Sequence, residues 1–97
     1  WATRHGMTSA QYQSFATDYV AKGYRITQVS GYTIGTQTRF AAIMEKSAGP
    51  AWIARHDMTT ERFKELHKSY KRSGYRITQV DGYMQGDSAR FAAIWQK

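Results

Sequence analysis

Cysteine and asparagine are absent from this chain of 97 residues, proline occurs once, and seven acidic residues stand against fourteen basic ones. Each shortage closes a route. Without cysteine there is no disulfide staple, thiol nucleophile or thiolate ligand, so cohesion must come from packing. Without asparagine no N-linked glycan can be attached. No apolar run approaches the roughly 20 residues needed to cross a bilayer as a helix, and nothing resembles a signal peptide, which argues against a membrane partner.

What is present is a basic chain of net charge +7, with five basic and two acidic residues in 1–50 and nine and five in 51–97. The excess is spread evenly. A clustered stripe would point to nucleic acid, whereas this dispersion argues against it and suits solubility or a weak preference for acidic partners.

The dominant feature is duplication. A shift of 51 residues lays Trp1 on Trp52, Arg4-His5 on Arg55-His56, Gly23-Tyr-Arg-Ile-Thr-Gln-Val29 on Gly74-Tyr-Arg-Ile-Thr-Gln-Val80, and Arg39-Phe-Ala-Ala-Ile43 on Arg90-Phe-Ala-Ala-Ile94. Of 46 aligned positions 22 are identical, without a gap. Units are read as repeat 1 (1–46), a connector (47–51) and repeat 2 (52–97). A unit this short sits just above the limit of roughly 40 residues for unaided folding, so each copy needs a neighbour to cover its apolar surface.

Within one copy, Trp1 to Met7 alternates as a strand. Thr8 reads as a helix N-cap, and Gln11 completes a capping box; Met7 can staple onto Tyr12. The second copy keeps Thr59, Met58 and Phe63 but has Arg62 in place of the glutamine. Tyr12, Phe15, Ala16, Tyr19 and Val20 share one helical face. Gly23 and Gly74 end the helices, and Tyr24–Tyr32 with Arg39–Lys46 predict a hairpin around Gly35. The fold class expected is α+β: two tandem β-α-β-β repeats, each an antiparallel sheet with one helix packed on it. In the last strand Phe40, Ala42 and Met44 face one way and Ala41 and Ile43 the other, so both sides need a cover; the second cover is expected to be the next copy.

The combination Trp-x-x-Arg-His-x-Met-Thr, Gly-Tyr-Arg, Gly-Tyr, Arg-Phe-Ala-Ala-Ile and a closing Gly-Pro resembles the bacterial tandem repeat domains, and is similar to the N-terminal repeats of fungal polyglycine hydrolases. In those proteins the array often precedes a β-lactamase-like serine hydrolase domain. The resemblance implies a secreted accessory module and an extracellular location. It transfers no catalytic role, because no serine here has a lysine three residues on.

No catalytic, cofactor-binding or metal site is expected. The acidic residues Asp18, Glu45, Asp57, Glu61, Glu65, Asp81 and Asp87 have no acidic counterparts in the other copy, and no ligand cluster accompanies the histidines. Candidate ligand or interface residues are the recurrent Arg4, His5, Arg25, Tyr32 and Arg39 with Arg55, His56, Arg76, Tyr83 and Arg90. Beside Tyr24, Tyr75, Tyr32 and Tyr83 the arginines could form a cation–π ladder for an acidic or glycan ligand; they could equally clamp Glu45, Asp81 or Asp87. His5 and His56 are expected to bond between strand and helix cap, and His67, opposite Ala16, to lie at the surface. Trp1, Trp52 and Trp95 are assigned to the end faces.

The leading functional expectation is a non-catalytic module for recognition or scaffolding. An alternative is a structural protein assembling with identical chains head to tail into a ring or filament, since Lys97 aligns with Lys46, where a further connector would begin. A third is a fragment of a serine hydrolase whose catalytic domain lies elsewhere.

Overall fold

Thr8 and Thr59 fix where each helix begins. In the computed structural model, which describes residues 1–46 and 49–97, helix α1 spans Ser9–Ala21 and helix α2 Thr60–Arg72. The Thr8 hydroxyl accepts from the Gln11 amide at 3.2 Å and the Gln11 side chain accepts from the Thr8 amide at 2.9 Å, so two N–H groups that the helix leaves unpaired are satisfied. Thr59 caps Arg62 in the same way at 3.2 Å. Arginine has no acceptor to return the bond, and Arg62 pairs with Glu65 at 2.6 Å instead. Gly23 and Gly74 follow the helices at φ 91° and 90°, a conformation that side-chain-bearing residues resist.

Strands β1 (Ala2–Met7), β2 (Tyr24–Ile34) and β3 (Gln37–Lys46) form one antiparallel sheet in the order β1-β3-β2. Strands β4 (Trp52–Met58), β5 (Arg76–Gln85) and β6 (Ser88–Gln96) repeat it as β4-β6-β5. The first strand of each copy therefore pairs within its own repeat. The hairpins are tighter than the spacing predicts: Ile34 pairs with Gln37 and Gln85 with Ser88, leaving only Gly35-Thr36 and Gly86-Asp87 to turn. Of the connector expected at 47–51, residues 47 and 48 lie outside the described residues.

Each sheet carries two matching irregularities. Between Arg4 and Met7, and between Arg55 and Met58, the register slips at Gly6 (φ 69°) and Asp57 (φ 54°). At the second slip Thr27 and Thr78 each donate a side-chain hydroxyl to a carbonyl of the paired strand, Ile43 O and Ile94 O, at 3.2 Å. A bulge leaves a ladder position unpaired, and the threonine supplies the missing donor.

The helices cover equivalent faces, but the two cores differ. In repeat 1, Met7, Tyr12, Phe15, Ala16, Ile26, Val29, Phe40, Ala42 and Met44 are buried together with Tyr83, Ala92 and Ile94 of repeat 2. In repeat 2, Met58, Ala93 and Trp95 are buried under α2 with Phe63, Leu66 and Tyr70 partly buried around them. Strand β6 is thus covered on both sides as its composition requires, and its second cover is the preceding copy rather than the next. The corresponding side of β3, Ala41 and Ile43, is only half-buried.

Trp95 corrects one expectation. It is fully buried in the repeat 2 core and does not lie on an end face; its indole N–H donates to His67 Nδ1 at 3.1 Å. His67 is half-buried and stacks on Phe63 at 5.9 Å, so it is a core partner of the tryptophan and not a surface residue. Repeat 1 holds Ala16 and Met44 at these positions, a pair that needs no polar contact. Replacing His67 by alanine leaves a buried donor unpaired and is expected to cost about 1–3 kcal/mol, read as a lower midpoint in urea unfolding.

Candidate functional site

The surface with the most chemistry is the junction between repeats. Strand β2 is an edge strand, and an edge exposes a row of unpaired backbone groups. Here the side chains of β5 supply their partners. The Gln79 amide accepts from Val29 N at 2.8 Å through Oε1 and donates to Val29 O at 2.5 Å through Nε2, imitating a peptide group. Asp81 Oδ2 accepts from Gly31 N at 2.7 Å. Farther along, Thr33 and Thr38 both donate to Met84 O, at 3.0 and 3.4 Å.

Aromatic rings fill the space beside this polar seam. Tyr12 stacks on Phe40 at 5.5 Å, and His56 and Tyr83 of repeat 2 meet them edge-on at 4.7 to 5.3 Å. Tyr83 lies so close over β2 that a Cβ at Gly31 would overlap its ring. Gly31 is therefore required for the approach.

Asp57 ties the aromatic layer to the first helix. Its left-handed backbone, which aspartate adopts more readily than most residues, aims the carboxylate at two partners. Tyr83 OH donates to Oδ1 at 2.6 Å, and Ser9, the first residue of α1, donates to Oδ2 at 2.9 Å. The Asp57 amide in turn donates to Tyr83 OH at 2.8 Å, as the Gly6 amide does to Tyr32 OH at 2.8 Å in repeat 1. Burial and donation to Asp57 push the Tyr83 hydroxyl well above the usual tyrosine range, and burial pushes Tyr12 up to about 12.

Ser9 also lies 2.9 Å from His56 Nε2. Because its own proton goes to Asp57, its oxygen accepts from Nε2–H. Serine, histidine and aspartate are thus gathered from two repeats, but not as a hydrolytic triad. A triad needs serine on one imidazole nitrogen and aspartate on the other. Here the same nitrogen faces both, with Asp57 Oδ2 at 3.8 Å. Burial holds His56 below its ordinary pKa, against the opposing pull of Asp57.

The other candidates are placed differently from expectation. His56 bonds to the helix of the neighbouring repeat and not to its own cap, while His5 is exposed. Arg39, Arg55 and Arg90 each donate to the carbonyl of the residue before them, and Arg39 also meets Gln37. Arg4 sits 5.8 Å over the Phe15 ring. Arg25 is buried and Arg76 exposed. Among the described residues no strand arginine forms an ion pair with Glu45, Asp81 or Asp87, although Arg25 stands opposite Glu45 in the register, and no arginine–tyrosine cation–π ladder forms; Arg39, Arg55 and Arg90 turn back along their own strands instead. Trp52 is half-buried against the joint core, so only Trp1 is an exposed end tryptophan, at 81%. Trp52 also lines, with Tyr12, Thr17, Val20, Arg55 and His56, a groove of about 700 Å³ between α1 and β4.

Ser9, Asp57, Gln79 and Asp81 are the junction residues that were not singled out as candidates. Three of these four differ between copies, Asp57 replacing Gly6, Asp81 replacing Ser30 and Ser9 facing Thr60; an aspartate standing where the other copy needs a left-handed glycine is the signal that could have found the first.

Compared with known families, the chain matches the polyglycine hydrolase-like structural repeat twice, over residues 1–47 and 49–97.

Two outcomes test the junction. Gly31→Ala should lose about 1–3 kcal/mol in chemical unfolding because it overpacks against Tyr83, whereas Gly82→Ala, whose Cβ would meet only Phe91 at 3.4 Å, should stay within roughly 0.5 kcal/mol. The depressed pKa of His56 means that the unfolded chain takes up its proton first. Its contribution is complete above the ordinary histidine pKa of about 6.5 and is lost as pH falls through the lower folded value. The thermal midpoint should fall on acidification in that window, and less steeply in His56→Gln, which keeps an N–H for Ser9 but does not titrate.

Proposed function

The chain belongs to the polyglycine hydrolase-like structural repeat family, and from that premise we propose that it is a non-catalytic scaffold module of a secreted protein, a stiff two-repeat body that holds attached domains apart. The observation carrying this reading is the Gln79 and Asp81 seam on β2. A flexible tether would leave the edge to water, whereas here the edge, the Asp57 clamp and a shared apolar core oppose hinging together. The Ser9, His56 and Asp57 arrangement holds the repeats together in a geometry unsuited to nucleophilic attack. Secretion is carried by the resemblance to repeats that accompany extracellular hydrolases.

The groove between α1 and β4 favours a second reading, recognition of an acidic or glycan ligand by Trp52 and Arg55. An aromatic wall next to a cation can stack on a sugar ring or hold a carboxylate. A glycan and acidic-peptide array separates the two readings: binding that Trp52→Ala abolishes would favour recognition over a passive scaffold.

Calorimetry tests the stiff body. A single transition with matching calorimetric and van't Hoff enthalpies is expected, and two separable meltings would sink the proposal. Incubation with a polyglycine peptide is expected to yield no cleavage; turnover would refute the non-catalytic role.

A further inference from the structure

The two faces left uncovered in this structure are the two halves of the junction already described. Repeat 2 meets repeat 1 through Trp52, His56, Gln79, Tyr83, Ala92 and Ile94. Their counterparts in repeat 1 are Trp1, His5, Gln28, Tyr32, Ala41 and Ile43, all six identical in type to their opposite numbers. None of them is fully buried. On the receiving side, Val29 is 1% exposed beneath repeat 2, whereas its counterpart Val80 is 51% exposed.

The receiving face of repeat 2 keeps the features that the junction uses. Phe63 stacks on Phe91 at 5.2 Å, matching Tyr12 on Phe40, and both rings are only half-buried where Tyr12 and Phe40 are sealed beneath His56 and Tyr83. Gly82 is exposed, and a Cβ there would meet only Phe91 of its own hairpin, at 3.4 Å, so the side on which Tyr83 approaches Gly31 is open. Thr60 stands where Ser9 accepts from His56. We propose that the receiving face of repeat 2 binds the Trp1, Gln28, Tyr32 and Ile43 face of a second copy of this chain, head to tail.

In that contact Gln28 takes the role of Gln79 on Val80, Ser30 replaces Asp81 on Gly82 N, Tyr32 replaces Tyr83 over Gly82, and His5 reaches Thr60. What is lost is the carboxylate of Asp57, since Gly6 has none, and the hydroxyls of Thr33 and Thr38, replaced by Met84 and Ala89; Trp95 and His67 also occupy part of the space that Met44 and Ala16 leave to repeat 2 in the internal junction. The contact is therefore weaker than the internal junction. It is also opposed by the net charge of +7 on each copy, so added salt strengthens it. The proposal rests on the scaffold reading only for the geometry of the junction.

Sedimentation velocity of the intact chain up to millimolar concentration tests it. Growth through dimer to larger species is expected, because a head-to-tail contact does not close on two copies. A monomer at every concentration, a species that stops at dimer, or growth that weakens with salt would each overturn the proposal. Gly82→Val blocks the receiving face and Ile43→Lys the opposite one. Each should weaken self-association about tenfold or more, and the two mixed should form a 1:1 dimer through their intact faces; failure of the mixture to associate overturns the face assignment. Circular dichroism confirms folding, with Val80→Lys replacing Gly82→Val if the latter does not fold. The calorimetric transition, which reads the internal junction, is independent of these outcomes.

Discussion

A three-stranded sheet has two edges, and the edge of β2 is the constraint around which this molecule is organised. Its outward N–H and C=O groups at Val29 and Gly31 cannot be buried without partners, because each orphaned group in the interior costs more than a typical hydrogen bond returns. Water would serve, but water would also prevent Val29, Phe40 and Tyr12 from meeting the second repeat. Gln79 and Asp81 resolve the conflict by supplying polar atoms at the height of the edge while the backbone of β5 stays clear. Everything apolar in the joint core follows from that seam, since Tyr83, Ala92 and Ile94 close over repeat 1 only where the edge is already satisfied.

The seam also accounts for the unequal cores. Repeat 1 is sandwiched between its own helix and the sheet of repeat 2, and its aromatic residues at Tyr12, Phe15 and Phe40 are buried. Repeat 2 has only α2 over the equivalent face. It fills that space with a larger tryptophan, Trp95, and then must provide for the indole N–H, which is why His67 stands where repeat 1 has alanine. The second helix, less covered, carries Lys64, Lys68, Lys71 and Arg72 where the first has Gln13, Thr17, Val20 and Ala21.

The order β-α-β-β was legible because it is written in local signals: alternation before Thr8, a cap at Thr8 and Thr59, a left-handed glycine after each helix and a glycine in each hairpin. The stacking was not, because it depends on which side of β6 faces the other repeat, and both sides are apolar. Identical positions drew attention to Trp, His and Arg, yet identity reports the shared folding problem of each copy. Arg39, Arg55 and Arg90 recur and turn back on their own strands. The junction combines positions where the copies part, such as Gly6 and Asp57 or Ser30 and Asp81, with identical ones such as His56, Gln79 and Tyr83, whose twins His5, Gln28 and Tyr32 meet no second repeat within the chain. The paired change from Ala16 and Met44 to His67 and Trp95 was visible as two separate differences; only the packing joins them.

Val29 and Val80 are the same residue in the same seven-residue stretch, one sealed and the other half open to solvent. Tolerance to substitution is then a property of place in the stack and not of the motif. A polar replacement at the first valine disturbs the fold of the single chain, whereas one at the second leaves that fold intact and is felt only by what packs against the open face. A consensus drawn from many such repeats averages covered and uncovered copies, so it understates how strongly a covered copy constrains this position.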